Sequence, residues 1–260
     1  MLSRMLNDMK IEKWISHSSI MSEENKEPEY ITTGLCGNNA HVKELHEFLA
    51  DENRTLEKGS KDYNFLDARR GRSYKIADGN LPKLFECLEN CRHIGYDFGI
   101  VERQLEYACI YIDLDIYQEM ISTQLNEAIM YQFSQIIMSL LMKMIKLGDS
   151  DEVHLAFRTR PGTKHVTKET NPKRKYKDGM HVLILGPKFS KPFRIAYLKA
   201  LKANIQYREL FQWCDPDKTL DEGVVNNSII MLGSAKAGSK SYILRKMYRI
   251  KFNTYGMNGT

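Results

Sequence analysis

The chain has 260 residues and a net charge of +5, and 42% of its residues are hydrophobic. These values are ordinary for a soluble globular protein, and the length is enough for one large domain or two small ones. Five scattered cysteines exclude a disulfide scaffold and favour a reducing compartment. The N-terminus lacks the uninterrupted apolar core of a signal peptide, and the most hydrophobic stretch, Ala128–Leu147, is interrupted by glutamines and lysines. We therefore expect a soluble intracellular protein without a membrane span.

Residues 1–30 are interpreted as a peripheral extension. Apolar residues near helical spacing between Leu2 and Ile15 are compatible with a short amphipathic helix. The following residues 22–29 are acidic and polar, which is typical of a linker.

A mixed pattern of helices and strands occupies residues 41–99. The predicted elements are helices at His41–Ala50 and Asn80–His93 and strands at Tyr63–Asp67 and Ser73–Ile76. The two strands flank the turn-like segment Arg69–Arg72. Cys87 and Cys91 lie close together on the second helix, but no matching second pair of zinc ligands follows. We therefore assign these two thiols to the hydrophobic core.

Tyr107–Ile116 is predicted to be a buried strand, because branched and aromatic side chains suit a pleated sheet. Alternation places its Ala, Ile and Leu residues on one apolar face. Asp113 and Asp115 share the other face, roughly 6–7 Å apart from the rise of a strand. Two like charges so close are costly to bury without a cation, and a two-metal phosphoryl-transfer site uses such a pair. A strand end that is merely solvated is the alternative.

A long helix, about Gln118–Leu147, carries a broad apolar stripe that we expect to pack on the Ile/Leu face of this strand. Val153–Arg158 is the next predicted strand. The segment Arg158–Lys177 then holds eight basic residues and one acid, and its Thr, Pro and Gly residues predict a loop. This charge suits a polyanionic partner. The alternative is a solvated loop that binds nothing.

Lys177–Gly186 is predicted to be a second apolar strand. Alternation places Lys177, Gly179 and His181 on one face of it. Because glycine permits close approach, Lys177 and His181 form a candidate phosphate-binding face. A purely structural histidine is the alternative. Residues 187–207 are predicted to form a helix that covers the sheet.

The last stretch with candidate chemistry begins at Leu220–Asp221, just before a strand-like run. Gly233–Ser241 imitates a phosphate-binding P-loop, but Ser239 stands where that motif requires lysine. We therefore reject an ATPase. Beyond Glu222 the chain has no acids, and basic residues accumulate towards its end.

Three short motifs resemble, in order and spacing, the signature of the archaeo-eukaryotic primase (AEP) superfamily, in particular the primase domain of the primase-helicases of large nucleocytoplasmic DNA viruses. The motifs are Tyr111–Asp115, Gly179–Ile184 and Leu220–Asp221. Val101–Gln104 and Ile230–Lys236, the latter followed by Tyr242, also look like segments of that family. The resemblance covers about residues 63–244.

This resemblance implies an α+β fold, in which an RRM-like antiparallel catalytic sheet with flanking helices is joined to an N-terminal α/β unit. It implies a single domain at residues 31–260 after the extension at 1–30. Within that domain, residues 31–103 would form the α/β unit and residues 104–260 the catalytic unit.

The resemblance also implies the roles of individual residues. Asp113, Asp115 and Asp221 would be catalytic and would hold two Mg²⁺ or Mn²⁺ ions. An incoming NTP or dNTP would be bound by Lys177, Gly179, His181 and Lys236. A single-stranded DNA template would follow the basic residues Arg158, Arg160, Lys164, Lys173, Arg174 and Lys175. Tyr111 is a weak candidate for a contact to the sugar.

Two positions depart from the family pattern. Gly179 replaces a small hydroxyl residue, and Ile230 stands where many relatives have a phosphate-binding arginine. Binding of the triphosphate would therefore depend more strongly on Lys236.

The implied function is that of a DNA primase or primase-polymerase, which makes RNA or DNA primers for replication. It would act with a helicase domain or subunit, without a membrane, in the cytoplasm or nucleus of a host cell. A non-catalytic nucleic-acid-binding module of the same fold and a metal-dependent nuclease remain alternatives.

Overall fold

The computed structural model of the protein describes only part of the chain. The described residues are 10–14 (backbone only), 39–51, 55–56, 62–96, 98–147, 151–166, 174–235 and 239–251. The predicted linker at residues 22–29 lies outside this part, as do two of the predicted site residues, Lys173 and Lys236.

The chain divides into two compact units. The small unit consists of Ile20–Gln104 and Asn227–Ile243, and the large unit of Met1–Ser19, Leu105–Asn226 and Leu244–Thr260. This division differs from the continuous catalytic unit that we expected at residues 104–260. The reason is that Ile229–Ile230 pairs with the strand Ile100–Glu102, which draws the segment back into the small unit.

In the small unit, the described residues form two helices and a five-stranded sheet. The helices are α1 (Ala40–Ala50) and α2 (Leu81–His93), with a 3₁₀ turn at Asp78–Asn80. The strands are β2 (Thr55–Leu56), β3 (Phe65–Asp67), β4 (Arg72–Tyr74), β5 (Ile100–Glu102) and β10 (Ile229–Ile230), in the order β10-β5-β3-β4-β2. Cys87 and Cys91 are fully buried between these elements with Leu45 and Leu84, which confirms their assignment to the core.

Among the residues described for the large unit, helices cover one face of a six-stranded sheet. The strands are β1 (Lys10–Trp14), β6 (Tyr107–Gln118), β7 (Glu152–Thr159), β8 (Lys164–His165), β9 (Tyr176–Ser190) and β11 (Ile243–Lys251), in the order β1-β11-β7-β9-β6 with β8 beside β9. The helices are α3 (Glu127–Met144), α4 (Lys191–Ala203), α5 (Ile205–Leu210) and α6 (Pro216–Thr219), with a 3₁₀ turn at Glu222–Asn226. The antiparallel pairing of β6, β7 and β9 with the covering helices confirms the predicted α+β class.

The core of the large unit lies between the sheet and its helices. Ile112 and Leu114 of β6 are completely buried, as the alternation predicts. Phe133 of α3 packs edge-to-face on Phe157 of β7, and the hydroxyl of Tyr197 in α4 donates to the carbonyl of Ile137 at 2.9 Å. The apolar stripe of α3 therefore packs on the sheet.

Three predicted boundaries are wrong for local reasons. The amphipathic helix cannot extend to Ile15, because Lys10–Trp14 forms an edge strand beside β11. The long helix begins at Glu127 instead of Gln118, because Asn126 caps it by accepting a hydrogen bond from the amide of Ile129. The helix predicted at residues 187–207 starts only at Lys191, since Ser190 is its cap.

The boundary between β9 and α4 depends on an irregularity in the sheet. The register between β6 and β9 shifts between Ala108 and Ile110, which lets β9 continue to Ser190. Gly186 lies in this irregularity with a φ of 113°, and a Cβ atom there would overlap the carbonyl oxygen of Glu152 in β7. Only glycine fits both conditions.

We expect Gly186→Ala to destabilise the protein by about 2–3 kcal/mol, because the new methyl group combines a left-handed φ with a backbone clash. The measurement is the free energy of unfolding in urea. The matched control is Gly79→Ala, where a Cβ atom meets nothing within 4 Å. Equal stability of the two variants would contradict this account of the irregularity.

Candidate active site

The two aspartates of β6 lie beside the second motif. In the antiparallel pair of β6 and β9, Asp113 is directly opposite His181 and Asp115 is opposite Gly179. The side chains of Asp113 and Asp115 are 24% and 33% exposed, whereas the alternate residues of the strand are buried. The face of the sheet that carries the acids is therefore the one away from the helical core.

The third aspartate joins them through the backbone. The amide of Asp221 donates a hydrogen bond of 3.0 Å to the carbonyl of Asp113, and Leu220 forms an isolated bridge with Leu114. The carboxylate of Asp221 accepts a hydrogen bond of 2.8 Å from the amide of Gly223, at the start of the 3₁₀ turn. The first and third motifs are thus adjacent, although they are far apart in the sequence.

His181 occupies a buried position in this arrangement. It is 1% exposed, its Nε2 is 3.4 Å from Oδ1 of Asp113, and its ring meets the ring of Tyr111 edge-to-face at 5.1 Å. Burial lowers the pKa of His181 although Asp113 opposes this shift. A neutral, buried imidazole does not suit the charged grip on a triphosphate that the sequence suggested. In this position the ring faces the carboxylate of Asp113.

Lys177 contacts the second aspartate. Its Nζ is 2.6 Å from Oδ2 of Asp115 and 5.4 Å from the centre of the Tyr117 ring. The side chains of Lys177 and Asp115 are 27% and 33% exposed, so the pair is partly shielded from water. Gly179 is buried between Lys177 and His181 on the strand.

Two arginines that we assigned to the basic loop lie next to His181. Arg158 is the last but one residue of β7 and is paired with His181, so that Arg158, His181 and Asp113 form one row across three strands. The positive charges of Arg160 and Arg158 both act on His181 and lower its pKa further. Alternation along β7 could have predicted this, since every second residue from His154 to Arg158 faces away from the core.

The remaining described residues of the basic segment lie farther along the sheet. Lys164 belongs to the short strand β8 and is paired with Lys177. Arg174 forms an ion pair with Asp215, and Lys175 is exposed.

Sequence reasoning missed a buried acid at this end of the sheet. Asp178 is 3% exposed and accepts hydrogen bonds from the hydroxyl of Thr123 and, at 2.8 Å, from the amide of Gly179. Burial raises the pKa of Asp178, and these hydrogen bonds oppose the shift. Asp178 ties the loop after β6 to the strand that carries Gly179. Alternation along β9 could have predicted its burial, because Asp178 lies opposite Ile116 on the core face.

The three aspartates have the ligand chemistry of a divalent-cation site, but their side chains are not arranged around a common point. Carboxylate oxygens are the ligands that Mg²⁺ and Mn²⁺ prefer. Within the described part of the chain, however, no three His, Cys, Asp or Glu side chains are grouped closely enough to hold a metal ion. Asp113, Asp115 and Asp221 contact His181, Lys177 and the amide of Gly223, respectively.

A comparison with protein-family models matches residues 65–248, most of the chain, to the family described as the C962R protein N-terminal AEP domain. The chain belongs to this AEP family. The match includes all three motifs and confirms the resemblance to archaeo-eukaryotic primases.

Similar proteins are found in African swine fever virus under the name "Putative primase C962R". The protein of the Kenya 1950 isolate is 23% identical over 251 residues, and that of the Malawi Lil 20-1 isolate is 24% identical over the same length. These alignments cover 95% of the chain but only 24% of each viral protein. The chain therefore corresponds to about a quarter of its relatives' length. None of the helices described for this AEP domain is sufficiently long and apolar to span a bilayer.

The buried His181 predicts a dependence of stability on pH. Because its pKa in the folded protein lies below the unfolded value near 6.5, the unfolded chain binds more protons in acid. The free energy of unfolding should therefore fall as the pH drops below about 6.5. His46 contributes in the same direction, since burial lowers its pKa as well.

His181→Gln should weaken this dependence, by about 1.4 kcal/mol for each unit by which the pKa is lowered. The measurement is urea unfolding at several pH values between about 5.5 and 7.5, where histidines titrate. The same loss of stability in acid for the wild type and His181→Gln would show that His181 is not the group responsible.

Proposed function

We propose that this AEP domain is a template-dependent nucleotidyltransferase, a DNA primase or primase-polymerase that makes RNA or DNA primers. The family and the name of the viral relatives support a primase-like role. The single observation that carries the proposal is that the backbones of the three aspartates are adjacent. Asp113 and Asp115 share a face of β6, and Asp221 is hydrogen-bonded to the backbone of Asp113.

In the proposed mechanism, Asp113, Asp115 and Asp221 would hold two Mg²⁺ or Mn²⁺ ions. When bound, these ions would activate the 3′-hydroxyl and stabilise the charge on the departing pyrophosphate. The neutral ring of His181 orients the carboxylate of Asp113 from the neighbouring strand.

The substrate in this proposal is an NTP or dNTP. Lys177, released from Asp115, would pair with the triphosphate, and Gly179 leaves room for its approach. Arg158 and Arg160 add positive charge beside His181, in the same row of the sheet. We therefore assign these two arginines to the triphosphate instead of the template. Lys236, outside the described residues, keeps its predicted role in nucleotide binding.

The proposed partner is a single-stranded DNA template. Lys164, Arg174 and Lys175, with Lys173 beside them in the sequence, would contact its phosphates without reading bases. Because the viral relatives are about four times as long as this chain, we also propose that the domain works with a helicase domain or subunit. Its place of action would be the cytoplasm or nucleus of a host cell.

Asp113→Asn should lower primer synthesis and primer extension by at least about 100-fold, because it removes a charged metal ligand at the reacting phosphate. The assay follows incorporation of labelled NTP and dNTP on single-stranded DNA with Mg²⁺ or Mn²⁺. The control is Asp217→Asn, the same change at an exposed acid that pairs with Arg208 in the same unit. This control should keep the activity of the wild type.

The same assay separates the two alternatives. Wild-type protein that binds DNA without extending it would indicate a non-catalytic binding module. Metal-dependent degradation of the template, lost in Asp113→Asn, would indicate a nuclease. Either result would overturn the primase proposal.

Lys177→Met should strengthen Mn²⁺ binding in the absence of nucleotide by about twofold to fivefold, because a divalent ion must displace Lys177 from Asp115. The same variant should bind nucleotide more weakly. Free Mn²⁺ can be measured by its electron paramagnetic resonance signal, and nucleotide binding by calorimetry. The control is Lys188→Met, an exposed lysine of the same strand. Unchanged Mn²⁺ affinity in Lys177→Met would argue against competition.

A further inference from the structure

The turn between β3 and β4 in the small unit concentrates positive charge at the surface. Arg69, Arg70 and Arg72 surround Gly71, and no acid lies among them. Arg70 and Arg72 are exposed. The proposed nucleotidyl transfer assigns no role to this turn, which we call the arginine turn (Ala68–Arg72).

The backbone of the arginine turn is held by a buried acid at its start. Asp67 is 6% exposed, and its Oδ1 accepts hydrogen bonds from the amides of Arg69 and Arg70 at 2.9 and 3.2 Å. The amide of Gly71 donates to the carbonyl of Asp67 at 2.7 Å, and Gly71 has a φ of 65° that suits glycine. The turn is therefore ordered before any ligand binds, which lowers the entropic cost of binding.

Arg69 attaches the arginine turn to the rest of the small unit. Its aliphatic chain lies against Gly99, where a Cβ atom would come within 2.6 Å of Cγ of Arg69. Its Nε donates to the carbonyl of Ala235 at 3.3 Å. Arg69 is thus structural, and Arg70 and Arg72 are the residues available to a ligand.

Arg70 lies close to both the ring of His46 and the buried carboxylate of Asp67. Its two terminal nitrogens are 2.9 and 2.8 Å from the ring nitrogens of His46, and the hydroxyl of Tyr96 is 3.4 Å from the same ring. Burial, followed by the charge of Arg70, lowers the pKa of His46 and keeps the ring neutral. The nearest ion-pair contact of Arg70, to Asp67, is 3.8 Å long. Because a neutral imidazole has a single acceptor nitrogen, His46 accepts one hydrogen bond from Arg70 and does not cancel its charge.

We propose that Arg70 and Arg72 bind the phosphate backbone of single-stranded DNA, as a contact surface separate from the basic segment of the large unit. Guanidinium groups donate paired hydrogen bonds to phosphate, and two exposed arginines on a fixed turn can follow successive phosphates without reading bases. The choice of DNA as the partner rests on the proposed function.

The test measures binding of fluorescein-labelled oligothymidylate to the whole chain by fluorescence anisotropy, between about 50 and 200 mM NaCl. For Arg70→Gln/Arg72→Gln we expect at least about fivefold weaker binding at low salt, and a salt dependence whose log–log slope is smaller by about 1.4. For Arg72→Gln alone the slope should be smaller by about 0.7.

The control Lys75→Gln/Lys83→Gln removes the same charge from the same unit. Lys75 pairs with Asp62 at 2.7 Å, and Lys83 pairs with Glu44 at 2.6 Å and Glu86 at 3.1 Å, so neither is available to a phosphate. This control should bind DNA with the slope of the wild type. A thermal melt of each variant shows whether the small unit is intact, and exposed Arg72 can be changed without loss of a buried contact.

The outcomes distinguish this inference from the proposed function. If the wild type binds DNA and both arginine variants keep its affinity and slope, the arginine turn is not a DNA contact. The proposed primase function would not be affected by that result. If the wild type binds no single-stranded DNA, the inference and the template-binding part of the proposed function are both wrong.

Discussion

The register between β6 and β9 is the constraint on which the candidate site depends. It places Asp113 opposite His181 and Asp115 opposite Gly179, and it gives β6 one apolar face and one acidic face. Because side chains alternate along a strand, a slip of one residue would turn both aspartates towards the core and expose the Ile/Leu face. The buried apolar face therefore fixes the position of the acids, and the same face makes the fold stable.

Two carboxylates on one strand face repel each other, and the neighbouring strand reduces this cost. Asp115 pairs with Lys177 at 2.6 Å, and Asp113 faces the ring of His181 at 3.4 Å. These partners differ in kind, because Lys177 brings a charge and the buried His181 brings a hydrogen-bonding ring of lowered pKa. The compensation is therefore unequal.

The sequence predicted those features that depend on local periodicity. Alternation identified the faces of β6 and β9, and zinc-site spacing correctly kept Cys87 and Cys91 in the core. Motif order also indicated the family, which the match over residues 65–248 confirms. In each case the decisive information lies within a few neighbouring residues, or in residue types at fixed separations.

What the sequence did not predict depends on contacts between distant segments. The pairing of Ile229–Ile230 with β5 places Asn227–Ile243 in the small unit. No pattern in the neighbouring residues predicts that pairing. The burial of His181 follows from its neighbours on two other strands, so alternation could assign its face but not its exposure. The irregularity at Gly186 extends β9 by several residues, and the backbone of Glu152 in β7 leaves room only for glycine there.

The arrangement of basic residues matters more for a polyanion than their number. The basic segment of the large unit has the larger number of positive residues, yet Arg174 there is paired with Asp215, and Lys177 with Asp115. In the arginine turn, Arg70 contacts the ring of His46 and has a longer ion-pair contact, of 3.8 Å, with Asp67. Neutralised arginines and lysines release few counterions when they meet phosphate, whereas unneutralised ones release their full share. In our proposal, the arginine turn therefore adds two phosphate contacts to those of the basic segment, whereas the sequence had indicated only that segment and the basic residues near the end of the chain.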